Sequence, residues 1–144
     1  MKPLVDLMKE VLATQFALYL KLQFFHWNVT GPNFPQYHDL FGKLYEEIWT
    51  SIDEVAEHIR SIRGFAPGSF SRFADLSAIT DQIDVVPAEQ MISIAIYDNE
   101  KMLAVLLEAY KAAEAEGEAG LANFVQDRMD IHKKHGWMLR ATLG

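Results

Sequence analysis

The stretch His26–Gly68, HWNVTGPNFPQYHDLFGKLYEEIWTSIDEVAEHIRSIRGFAPG, decides how this chain is read. It begins at the end of one helix, turns at Thr30-Gly31-Pro32-Asn33, and enters a second helix whose first turn suits Pro35. At about 100° per residue, with His38 set at zero, Gly42, Glu46, Trp49, Asp53, Glu57 and Arg60 share an arc of roughly 100°. Tyr37, Leu40, Phe41, Leu44, Ile48, Ile52, Val55, Ile59 and Ile62 fill the opposite side. One face therefore builds a core. The other carries a histidine and carboxylates, with none of the lysines an ordinary solvated face would show. This helix is predicted over Pro35 to Arg63, ending at Gly64 in a left-handed cap.

Three more long helices follow from the same periodicity. The first spans Lys2 to Asn28, with Val5, Met8, Leu12, Phe16 and Tyr19 on one side and Leu4, Leu7, Val11 and Leu18 on a second. An apolar arc this wide predicts two covers, one from its own bundle and one from a neighbouring subunit. The third spans Ala88 to Glu116, with Ile92, Ile96, Leu103, Leu106 and Tyr110 on one stripe, and Gly117 ends it. The fourth spans Glu118 to Thr142. The connection from Gly64 to Pro87 is too long to be structureless, and Ser71 to Leu76 is expected to form a short helix in it. Two short turns and one long crossover define an all-α, ferritin-like four-helix bundle, a single domain over residues 1–144.

Bulk properties bound the function. The 144 residues are half hydrophobic and carry a net charge of −7, which disfavours broad attraction to nucleic acid and suits the collection of cations. With no cysteine, a disulfide framework and a thiolate metal site are both excluded, and a cytoplasmic location is expected. No apolar run approaches the roughly 20 residues needed to span a membrane, and the first ten residues do not read as a signal peptide.

Spacing decides what the polar face of the second helix can do. Asp53 and Glu57 are four positions apart, so their carboxylates sit one turn from each other and can share a cation. His26 and His38 flank the same short turn and can converge. His38 and Asp53, however, are separated by roughly 22 Å along a straight helix at 1.5 Å per residue. The imidazoles and the carboxylates cannot meet within one chain. They meet if two second helices pack antiparallel about a two-fold axis, which makes two equivalent sites. Nitrogen and carboxylate donors suit ferrous iron, and also zinc or manganese, so ligand type alone does not choose the metal.

The His-Trp-Asn opening, the step of twelve to His38, the Asp53-Glu-Val-Ala-Glu57 run and the Gly-Trp-Met near the C-terminus closely resemble the Dps family of mini-ferritins. The resemblance covers nearly the whole chain. It implies a hollow dodecameric shell with an intersubunit ferroxidase centre, and iron as the metal. Hydrogen peroxide would be preferred to oxygen, and ferric mineral would be stored inside. His26 and His38 would come from one subunit, Asp53 and Glu57 from its two-fold mate, and Trp27 would lie beside the centre to take up stray oxidising equivalents.

Two departures qualify this. The family places an aspartate four residues after the second histidine, where this chain has Gly42. One well-formed iron site (His26, Asp53, Glu57) is therefore expected, with a weaker one near His38 completed by water or by Glu46. The basic tail that many members use on DNA is missing, so direct DNA binding is not expected. The rival readings are a shell whose ferroxidase activity is weak or lost, and a DNA-condensing protein. A di-iron enzyme with its site inside one bundle needs Glu-x-x-His pairs, and the sequence has none. His58, His132 and His135 read as structural, Trp137 as a packing residue, and Glu114, Glu116 and Glu118 as a solvated turn or an acidic funnel at a pore.

Overall fold

A computed structural model describes residues 2–144. It contains α1 (Leu4–Asn28), α2 (Phe34–Ser61), α3 (Phe70–Leu76), α4 (Ala88–Ala115) and α5 (Ala119–Leu143). The four long helices agree with the sequence reading to within two residues at each end. Among the described residues there is no strand, and no helix is long and apolar enough to cross a membrane.

Short turns make two helical hairpins, α1–α2 and α4–α5, and α1 also packs on α4 and α3. Their common core includes Met8, Leu12, Phe25, Phe41, Ile48, Ile59, Met91, Ile92, Met102, Leu106 and Val125, all essentially inaccessible to solvent. On α2 the core face is the one the periodicity predicts, with Ile52 and Ile62 at its half-buried margins.

Within one chain the two apolar sides of α1 are covered only in part, with Val5, Leu7, Phe16 and Tyr19 half-buried and Leu20 exposed. Leu4, Val11 and Leu18 are buried along with Met8 and Leu12, and Phe73 of α3 stacks on Phe16 with ring centroids 4.8 Å apart. The crossover is fastened along α1. Thr14 Oγ1 accepts the Ala78 N–H at 3.1 Å, and Lys21 Nζ donates to the Thr80 carbonyl and to Asp98 Oδ2, each at 2.6 Å. Burial pushes the Asp98 carboxyl up, against the pull of Lys21.

The two helix ends next to these connections use the same hydrogen-bond pattern. At the end of α4 the N–H of Glu118 reaches the Ala113 carbonyl and that of Gly117 reaches Glu114. Gly117 takes the left-handed position with φ 74°, as expected of glycine. At the end of α2 the left-handed residue is Arg63 (φ 76°), and not Gly64. Gly64 is instead required by contact, because a Cβ there would stand 2.5 Å from Val5 Cγ1. The acidic turn is not wholly solvated, since Glu116 Oε2 accepts the Leu4 N–H at 3.3 Å, one of the amides left without an intrahelical partner at the start of α1.

Candidate metal centre

The short turn between α1 and α2 brings His26 and His38 face to face. Their rings stack with centroids 3.7 Å apart and planes 16° from parallel. His26 Nδ1 lies 2.6 Å from the His38 carbonyl oxygen, and His38 Nδ1 lies 2.7 Å from that of His26. A carbonyl can only accept, so in each ring Nδ1 carries a proton, which in a neutral imidazole leaves the lone pair on Nε2. A carbonyl on one imidazole nitrogen, with the other nitrogen open, is the arrangement that orients a histidine as a metal ligand. Phe34 stacks on the outer face of His38 at 5.0 Å, and Tyr45 meets His26 edge-on at 5.3 Å.

Gly42 is buried beneath this pair. A Cβ at position 42 would come within 3.0 Å of His26 Cε1 and 3.1 Å of its Nδ1. Glycine therefore lets the His26 ring lie against the α2 backbone, and no side chain from position 42 reaches into the site.

Asp53 and Glu57 lie exposed further along α2, one turn apart. Asp53 shares a groove of about 520 Å³ with Trp49, Leu12, Phe16 and Phe73. Among the described residues no group of three or more His, Asp or Glu side chains converges as a metal cage. The two imidazoles and the two carboxylates therefore stand as separate groups within the chain. Glu46 is exposed on the same face. Trp27 is 62% exposed and Trp137 59% exposed, so the reading of Trp137 as a packing residue is corrected for the single chain.

Inside the bundle lies a polar cluster that the sequence reading only half anticipated. Arg128 of α5 donates through both terminal nitrogens to the Glu47 carboxylate of α2 and, at 3.1 Å, to His132 Nε2. His132 Nδ1 donates to Asn99 Oδ1 of α4 at 2.9 Å, and Asn99 returns a bond to the His132 carbonyl at 2.8 Å. His135 Nε2 lies 3.5 Å from Glu47 Oε1. Burial drives His132 well below its usual range, with Arg128 adding to the effect, and lowers His135 to about 4 despite Glu47. A guanidinium is thus the cation of this cluster and occupies its donors. Both histidines are structural, as expected, and so is the half-buried His58, which packs on Phe124 at 4.4 Å. Arg128 and Glu47 were overlooked. Their signal was Arg128 lying one turn before His132 on the core face of α5, and Glu47 lying at the border of the apolar arc of α2.

The ferritin-like domain family matches residues 5–144. The chain is 32% identical over 142 residues to DNA protection during starvation protein 2 of Bacillus anthracis, covering 99% of this chain and 97% of that one. Among solved structures it is similar to a Dps protein from Bacillus brevis (TM-score 0.92, 30% identity, all of both chains). It also resembles Dps from Staphylococcus aureus (TM-score 0.93, 28% identity, 98% and 95% of the two chains).

Proposed function

Because the chain belongs to the ferritin-like family and, within it, to the Dps mini-ferritins, we propose that it stores and detoxifies iron, oxidising Fe2+ at sites shared between subunits. In this reading His26 of one subunit, with Asp53 and Glu57 of its two-fold mate, binds the substrate Fe2+. His38 marks a weaker position nearby, completed by water. Hydrogen peroxide is the preferred oxidant, and oxygen a slower one. The ferric product is deposited as an oxyhydroxide inside a closed shell of twelve copies. The donors would also accept zinc or manganese.

The observation that carries the reading is the fixed tautomer of the two stacked imidazoles. Each keeps Nε2 free for a cation while the chain's own carboxylates lie roughly 22 Å away along α2. Such half-sets are completed by an isologous contact, in which each copy supplies what the other lacks. Removing Fe2+ and peroxide together suppresses hydroxyl-radical formation, so DNA would be protected indirectly. With a net charge of −7, direct DNA binding is not part of the proposal.

Stopped-flow oxidation of Fe2+ by peroxide tests it. The Asp53→Ala/Glu57→Ala protein should assemble normally and lose most of the fast phase. An unchanged rate would place the chemistry elsewhere, and a wild-type protein that forms shells without oxidising iron would leave only a storage or binding role.

A further inference from the structure

We infer that Tyr45, Tyr19 and Trp49 form an electron relay that couples the two iron sites of a two-fold pair. The inference rests on the iron-oxidising reading above and deepens it. His26 meets the ring of Tyr45 at 5.3 Å, Tyr45 meets Tyr19 at 5.9 Å, and Tyr19 meets Trp49 at 5.0 Å between centroids. All three spacings fall within the range of aromatic rings in contact. Trp49 stands one turn before Asp53 on α2 and lines the same groove. An unbroken row of rings therefore leads from the imidazole half of one site to the carboxylate half of the other, two places no single cation can bridge.

Packing within the chain accounts for the half-buried Tyr19 and Tyr45, while Trp49 lies on the α2 face that the proposed two-fold contact would cover. Its indole is 54% exposed on the polar face of α2, next to a carboxylate, while one edge of the row touches a metal-ligand candidate.

The electron count supplies the reason for a relay. Hydrogen peroxide takes up two electrons and one Fe2+ gives one. Gly42 brings no carboxylate to the imidazoles, so a site holding a single iron would stop halfway and release hydroxyl radical. In the relay, peroxide takes one electron from Fe2+ and the second, through Tyr45 and Tyr19, from Trp49, whose indole proton is lost to water. The balance is Fe2+ + H2O2 + TrpH → Fe3+ + Trp radical + OH− + H2O. Fe2+ at the neighbouring Asp53–Glu57 end then reduces the indolyl radical, which regains a proton. The sum is two Fe2+ oxidised per peroxide, one in each site.

The test uses assembled shells loaded anaerobically with one Fe2+ per site and then given limiting peroxide. It reads iron oxidised per peroxide, spin-trapped hydroxyl adduct, and freeze-quenched aromatic radical. Wild-type protein should oxidise two irons per peroxide with little adduct. It should show an indolyl radical only when iron is loaded below one per site, so that some pairs hold a single Fe2+. Trp49→Phe should bring the ratio toward one and raise the adduct several-fold, and Tyr19→Phe/Tyr45→Phe, which keeps both rings and removes only the phenols, should do the same. Variants that keep a ratio of two with no added adduct overturn the relay alone. A wild-type shell that oxidises no Fe2+ with peroxide overturns the proposed function and the relay with it.

Discussion

The imidazole of His26 lies against the backbone of Gly42, so closely that a methyl carbon at position 42 would stand 3.0 Å from its Cε1. In a solvated helix Gly→Ala stabilises by about 1 kcal/mol. Here the ring cannot move aside freely, because the His26–His38 stack and two reciprocal hydrogen bonds hold it. Crowding a packed site costs about 1–3 kcal/mol. Gly42→Ala is therefore expected to leave stability unchanged or lower it by up to about 2 kcal/mol, and to slow Fe2+ oxidation by displacing His26. Denaturant unfolding beside stopped-flow kinetics checks both. A gain of about 1 kcal/mol with full activity would mean that the ring is not constrained.

Sites shared between copies make a prediction that sites within a chain do not. His26→Ala/His38→Ala protein and Asp53→Ala/Glu57→Ala protein should each be inactive in the fast phase. Unfolded together, mixed equally and reassembled, they form mixed pairs in which one of the two sites has all its donors. Random pairing then restores about a quarter of the sites. Recovery of the fast phase to about that fraction is expected, measured per subunit in the reassembled shell. No recovery, with mixed shells shown by mass spectrometry, would place both half-sets in one chain.

The helices were readable from sequence because their signals are local. Pro35, Pro87 and Gly117 mark ends, and the apolar periodicity of α2 names its buried face almost residue by residue. The approach of His26 to His38 was readable for the same reason, since only a short turn separates them. What was missed depends on distant parts of the chain. Gly64 looks like a left-handed cap, yet Arg63 takes that conformation and Gly64 makes room for Val5, 59 positions earlier. The pairing of Glu47 with Arg128 joins residues 81 apart. The row from Tyr45 to Trp49 passes through Tyr19 on another helix, so no periodicity in α2 could reveal it.

That Glu47–Arg128 pair is expected to behave as a unit. The Arg128 side chain is buried and that of Glu47 about one-third exposed. Arg128→Met leaves the carboxylate without its cation and should cost about 2–3 kcal/mol, toward the low end for a broken buried pair because water still reaches Glu47. Arg128→Met with Glu47→Met removes both charges and should recover most of that loss. A double-mutant cycle on unfolding free energy measures the coupling. If the two single losses simply add, the pair contributes nothing as a pair.

His135 next to this pair makes folding sensitive to acid. An unfolded histidine takes up its proton near 6.5, while burial lowers the folded ring to about 4. Between those values the unfolded chain binds more protons. The contribution to stability is therefore fully present above 6.5, falls as pH drops through this window, and is exhausted below about 4. At pH 5 the loss from this ring alone is about 2 kcal/mol. His132, lowered in the same direction by burial, adds to the loss. His135→Gln can still donate to Glu47 and does not titrate. Between pH 7.5 and 5 it should lose about 2 kcal/mol less than the wild type in denaturant unfolding. Equal losses in the two proteins would mean that His135 is protonated in the folded chain at pH 5, and that Glu47 stabilises its charge more than burial opposes it.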